Sequence, residues 1–117
     1  MIRAVIIDDI PEAIAVLKSD LENYCVNIDV VGSAEGVVTG AKLIRDLKPD
    51  LVFLDIQMKD GSGFDLLEIV PDVHFKLIFT TASDEFAVKA FKFAAVDYLL
   101  KPIDPDELMD AVSRVEG

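Results

Sequence analysis

The sequence predicts a doubly wound α/β fold in which five parallel strands form one sheet covered by helices on both faces. Three observations predict it. The stretch Leu51, Val52, Phe53, Leu54 is apolar at every position and runs straight into Asp55; a strand apolar on both faces belongs in the middle of a parallel sheet. Short apolar runs alternate along the chain with segments of helical periodicity, the pattern of parallel strands joined by right-handed crossovers. Several of the runs end on charged residues, Asp8 and Asp9 after the first, Asp55 after the third and Lys101 after the fifth. Ligand crevices of open α/β sheets lie outside the carboxyl ends of the strands, where these residues fall.

The elements follow in order. Ala4, Val5, Ile6 and Ile7 make strand one. Ala13, Leu17, Leu21 and Tyr24 recur at helical spacing and predict helix one, with Pro11 in its first turn and Asp9 available as its cap. Ile28, Val30 and Val31 predict strand two, closed by Gly32. Val37, Ala41, Ile44 and Leu47 mark helix two, which Pro49 terminates. After strand three, Gly61 and Gly63 bracket a tight loop before a short third helix that carries Phe64, Leu67 and Val70 and stops at Pro71. Leu77, Ile78 and Phe79 predict strand four, ending at Thr80 and Thr81; Phe86, Ala90 and Phe93 predict helix four; Tyr98, Leu99 and Leu100 predict strand five, running into Lys101 and Pro102. Asp104, Pro105 and Glu107 give helix five a cap, a first-position residue and a capping-box acid, ahead of Leu108, Ala111, Val112 and Val115 on one face.

With 117 residues and 52% hydrophobic content, one core is filled and no second domain fits. Eleven basic against 22 acidic residues give a net charge of -11, which repels a phosphate backbone or an anionic membrane and argues against direct nucleic-acid binding by this segment. Cys25 has no partner for an internal disulfide, Met1 leads directly into a strand pattern without the apolar core of a signal peptide, and no apolar run has the length of a bilayer span. The expected location is cytoplasmic, with no membrane contact.

The expected strand order is 2-1-3-4-5, the flavodoxin-like arrangement, whose switch point lies between strands one and three. It places Asp8 and Asp9 beside Asp55, with Thr81 and Lys101 on the same edge. Three carboxylates held together repel unless positive charge compensates. Oxygen-only donors suit Mg2+, which takes one or two carboxylates with waters and phosphate oxygens, and three acids, one divalent cation and Lys101 sum to zero. Asp55 then fits a nucleophile towards phosphorus, and Thr81 can donate its hydroxyl to a phosphoryl oxygen. Lys101 must turn back towards the crevice directly after a strand, and a cis bond to Pro102 is the device available. Plainer readings stand beside these: Asp9 also suits a helix cap, Lys101 a snorkelling lysine and Tyr98 ordinary strand packing. His74 reads as a loop residue without a role, and Phe86, Ala90 and Phe93 as core.

Asp8 with Asp9, Leu54 with Asp55, Thr81 followed by Ala82, Tyr98, and Lys101 with Pro102 resemble, in order and over the whole chain, the receiver domain of two-component response regulators. The resemblance implies a single receiver domain over 1–117, a phosphoacceptor signalling module and no enzyme acting on other substrates. It implies that Asp55 takes phosphoryl from a sensor histidine kinase and that Mg2+ is held by Asp8, Asp9, Asp55 and the Gln57 backbone carbonyl. It further implies that Lys101 contacts the phosphoryl group, that Thr81 and Tyr98 form a conformational switch, and that the Lys101–Pro102 bond is cis. Residues 54–58 and 96–102 look most like the branch that carries a LytTR-type DNA-binding output domain, which implies a role in transcription regulation. Two positions depart from the pattern: Lys59 stands where the family often has proline, and Ala94 where it often has Gly or Asn.

The outer face of the fourth helix, fifth strand and fifth helix carries Lys89, Lys92, Asp97, Asp106, Asp110 and Arg114. Mixed charge of this kind suits a two-fold contact, so a homodimer through that face is expected on phosphorylation. A flavodoxin-like electron carrier would need hydroxyl and amide donors where Asp8 and Asp9 stand. An aspartyl-nucleophile phosphatase would carry a second acid two residues after the nucleophile, where Gln57 stands. A phosphorylation-independent scaffold stays open at this point.

Overall fold

The structure is a computed structural model that describes residues 1–70 and 74–116; the expected stop of the third helix at Pro71 lies outside them. Ile2–Ile7 (β1), Ile28–Ala34 (β2), Leu51–Asp55 (β3), Lys76–Thr81 (β4) and Asp97–Leu100 (β5) form one parallel sheet in the order β2-β1-β3-β4-β5. This is the flavodoxin-like order read from the sequence. The helices are Pro11–Tyr24 (α1), Val37–Leu47 (α2), Gly63–Ile69 (α3), Ala87–Lys92 (α4) and Pro105–Glu116 (α5). A separate two-stranded hairpin pairs Gln57–Met58 with Gly61–Ser62.

Successive residues of a strand point to opposite faces, and this sets the two cores. Val5, Ile7, Val52, Leu54, Leu77 and Phe79 face one layer with α2, α3 and the buried Ala90 of α4. Ala4, Ile6, Leu51, Phe53 and Ile78 face the other, packed by Leu17 and Leu21 of α1 and by Leu108, Ala111 and Val112 of α5. All five residues of β3 are buried, as its unbroken apolar run requires.

Several local expectations are corrected, while the expected cap of α5 by Asp104 is present. Asp9 does not cap α1: the N-cap is Ile10, with no side-chain cap bond, and the carboxylate of Asp8 accepts the Ile10 N–H at 2.9 Å. Pro11 at the first helical position has no N–H, so the first turn has one orphan donor fewer to satisfy. Tyr24 is half exposed, and Cys25 takes the buried place at that end of α1. β2 runs past Gly32 to Ala34, because a bulge lets it keep pace with β1: Ala4 opposes Val30 and Val5 opposes Gly32, leaving Val31 as the extra residue. α4 is one short helix flanked by Phe86 and Phe93, which lie just outside it. Ala94 adopts the left-handed region at φ 57° and closes the turn with its N–H on the Phe91 carbonyl at 3.1 Å, the conformation that Gly or Asn would enter at lower cost. Asp104 caps α5 by accepting the Asp106 N–H at 2.7 Å. A reciprocal capping box stands at α3, where Ser62 and Asp65 exchange side-chain to backbone bonds of 3.1 and 2.9 Å.

Candidate functional site

Strand register assembles the site. Ile7 lies opposite Leu54, so Asp8 and Asp9 follow β1 beside Asp55, the last residue of β3. Asp55 lies opposite Thr80 and Thr81 opposite Leu100, so Lys101 emerges at the same edge, its N–H donating to the Thr81 carbonyl at 2.8 Å. The Lys101–Pro102 peptide is cis. Gly63 lets α3 start close against this edge: its N–H donates to the Ile56 carbonyl at 2.8 Å, and a Cβ there would stand 2.6 Å from the carbonyl oxygen of Asp55. Only glycine fits so near a backbone oxygen.

Asp8 and Asp55 are 3% and 4% exposed, Asp9 is partly buried, and one carboxylate oxygen from each of the three lies within 4.8 Å of the others. The Lys101 ammonium donates to Asp8 Oδ2 at 2.6 Å and lies 3.5 Å from Asp55 Oδ2. Burial and the neighbouring charge of Asp8 push the Asp55 carboxyl up to about 6; Lys101 opposes the rise, Asp9 adds to it, and the Gln57 backbone N–H lowers it. Three carboxylates and one ammonium leave two negative charges. Hard oxygen donors so placed fit one divalent cation.

Thr81 is fully buried, and its Oγ1 accepts the Ser83 N–H at 3.3 Å. The Tyr98 hydroxyl donates to the carbonyl oxygen of the same Ser83. Tyr98 thus stands away from the carboxylates, on the α4 side of β5, tied to Thr81 through a single peptide segment. Ser83 is one residue that the sequence did not single out; its signal there is a small polar residue two places after Thr81. Gln57 is exposed in the first arm of the hairpin, and His74 is an exposed residue outside the helices and strands. On the outer face Arg114 pairs with Asp97 within the chain, and Val88, Phe91 and Leu100 are exposed.

Residues 4–113 match the family described as the response regulator receiver domain. An uncharacterized response regulatory protein of Vibrio vulnificus is 46% identical over 116 residues, covering 98% of this chain and 48% of that protein. The transcriptional regulatory protein BtsR of Escherichia coli (strain K12) is 40% identical over 116 residues, with the same coverage of both chains. The chain spans about half the length of these curated relatives. A two-component response regulator of the LuxR family from Aurantimonas superposes with a TM-score of 0.87 at 25% identity, over 98% of this chain and 84% of that one. None of these names carries a LytTR designation, and they give no support to the LytTR-type branch expected from residues 54–58 and 96–102.

Proposed function

Because the chain belongs to the family of response regulator receiver domains, we propose that Asp55 accepts a phosphoryl group from the phosphohistidine of a sensor histidine kinase. Mg2+ would be held by Asp8, Asp9, Asp55 and the Gln57 backbone carbonyl. The observation that carries this reading is the meeting of three carboxylates and Lys101 at one sheet edge. Burial beside Asp8 pushes the Asp55 carboxyl up to about 6, and carboxyls perturbed by burial and a charged neighbour cluster at sites of chemistry, which favours this reading over a scaffold.

In the transfer, one carboxylate oxygen of Asp55 attacks phosphorus, the phosphorus–nitrogen bond breaks, and its electron pair stays on the departing nitrogen of an imidazole that is already protonated on its other ring nitrogen and leaves neutral. The cation, when bound, offsets the charge of the phosphoryl oxygens. Lys101, already within 3.5 Å of Asp55, turns one of its donors to a phosphoryl oxygen. The Thr81 hydroxyl donates to another, and Ser83 and the Tyr98 hydroxyl follow because they are bonded to Thr81 in sequence. The new charge thereby reaches the face of α4, β5 and α5. That face exposes Val88, Phe91 and Leu100 beside Lys89 and Lys92, and it forms a two-fold contact with a second copy when Asp55 is phosphorylated. The module, one receiver domain over 1–117, acts in the cytoplasm on a transcription-regulating output. A LytTR-type output rests on residues 54–58 and 96–102 alone.

Treatment with acetyl phosphate and Mg2+ should give one phosphoryl adduct by intact-mass analysis, not formed when EDTA replaces Mg2+ and absent from Asp55→Asn. An adduct that survives in Asp55→Asn would remove Asp55 from the role. Sedimentation should show dimer only in the phosphorylated sample; an unchanged monomer means the signal leaves by another surface.

A further inference from the structure

The loop that carries Gln57 has Lys59 where a rigid proline is common; Met58 packs against the core, and the hydrogen bonds of the loop are otherwise local: Gln57 pairs with Ser62, Met58 with Gly61, the Gly63 N–H donates to the Ile56 carbonyl, and Ser62 and Asp65 cap α3. Asp60, at the turn of the hairpin, reaches further. Its carboxylate accepts the Val37 N–H at 2.9 Å on Oδ1 and 3.1 Å on Oδ2, and the Val38 N–H at 3.4 Å, across 23 and 22 positions of sequence. α2 brings no side-chain cap of its own, since its N-cap is Gly36. Orphan N–H groups and the positive end of the helix dipole both favour a carboxylate at that place. The approach is close, because a Cβ on Gly36 would stand 3.0 Å from both Asp60 oxygens. Gly61, which follows Asp60 in the turn, sits at φ 144°, a conformation open to glycine.

We infer that Asp60 is a positioning residue: by capping α2 in place of a local cap, it fixes the 57–62 hairpin and so holds the Gln57 carbonyl ready for the cation at Asp8, Asp9 and Asp55. The inference rests on the metal reading above. It makes the first turn of α2 and the cation site one coupled unit, so that cation binding protects the Val37 amide and loss of the cap weakens the cation. Charge alone would also attract the cation, and the two contributions separate by substitution. Asn keeps an acceptor for the Val37 N–H without the charge; Ala keeps neither.

The test measures Mg2+ affinity by titration and amide hydrogen exchange at Val37 and Gly63 in the wild-type chain, Asp60→Ala, Asp60→Asn and, as a control that loosens the core at α5, Val112→Ala. Asp60→Ala is expected to weaken Mg2+ roughly tenfold, the low end of what outer partners of metal ligands contribute, and to speed exchange at both amides. Asp60→Asn should lose less affinity and keep the Val37 protection, and Val112→Ala should leave Mg2+ affinity unchanged. Equal affinity in Asp60→Ala and wild type overturns the role of Asp60, as does identical behaviour of the Ala and Asn variants in both readouts. A wild-type chain that binds no Mg2+ overturns the metal site itself, a separate result.

Discussion

Asp55 is held near-fully buried within reach of two other carboxylates, and the cost of that placement is measurable. Its carboxyl is raised from 3.8 to about 6. Between those values the folded chain keeps a proton that the unfolded chain has released, so ionising Asp55 costs the folded state more. The sign follows: without metal, the Asp55 contribution destabilises progressively as pH rises from about 4 to about 6, by at most about 3 kcal/mol. Urea midpoints of wild type and Asp55→Asn in EDTA should therefore diverge in favour of the Asn variant over that window; parallel curves would contradict the burial argument. Mg2+ affinity should rise through the same window, since the proton and the cation compete for one carboxylate. Ala94 carries a second residue-scale cost. Its left-handed backbone at φ 57° is strained for any residue with a Cβ, so Ala94→Gly is expected to stabilise by about 1 kcal/mol despite the entropy that glycine adds to the unfolded chain. A lower thermal midpoint in the variant would show that the strain is absorbed elsewhere.

At the scale of elements, α3 and α4 meet through Phe64. Its ring lies 5.1 Å from Phe79 and 5.2 Å from Phe93 by centroid, and Lys89 caps it with Nζ at 4.7 Å. α4 is six residues long and has no side-chain cap bond, so its place depends on these contacts. Phe64→Ala should cost about 3–5 kcal/mol, read as a lower urea midpoint with an unchanged slope; a loss below about 1 kcal/mol would mean that α4 is held by something else. The elements also show where sequence is informative. β3, α5 and the strand ends were legible, because an unbroken apolar run, a helical stripe and a charge after a strand each have one structural meaning. The β2 bulge was not, since it answers to the register of β1 and leaves no local mark beyond Gly32. The α3 capping box hid because its return acid is Asp65, shorter than the usual Glu or Gln. Ser83 and Asp60 act through partners in space, Tyr98 and Val37, that spacing along the chain cannot name.

For the whole molecule, topology does the assembling. Asp8, Asp55, Thr81 and Lys101 are far apart in sequence; parallel pairing brings the ends of their strands to one edge, and the order β2-β1-β3-β4-β5 makes those strands neighbours. That legibility is high because the switch point of such a sheet has one location. The edge leaves two negative charges among its four charged groups, so Mg2+ should raise the thermal midpoint by mass action, about 2.7 kcal/mol at a hundredfold excess over its dissociation constant. Asp8→Ala should abolish most of that gain, and a variant that keeps it would exclude Asp8 as a ligand. The most direct test of the account is a crystal structure grown with Mg2+ and beryllium fluoride, a phosphoryl mimic. Density is expected for the mimic bonded to an oxygen of Asp55, with the cation on Asp8, Asp9, Asp55 and the Gln57 carbonyl, and Lys101 and Thr81 turned to the fluorines. A mimic bound elsewhere, or an Asp55 carboxylate left bare at saturating concentration, would contradict it.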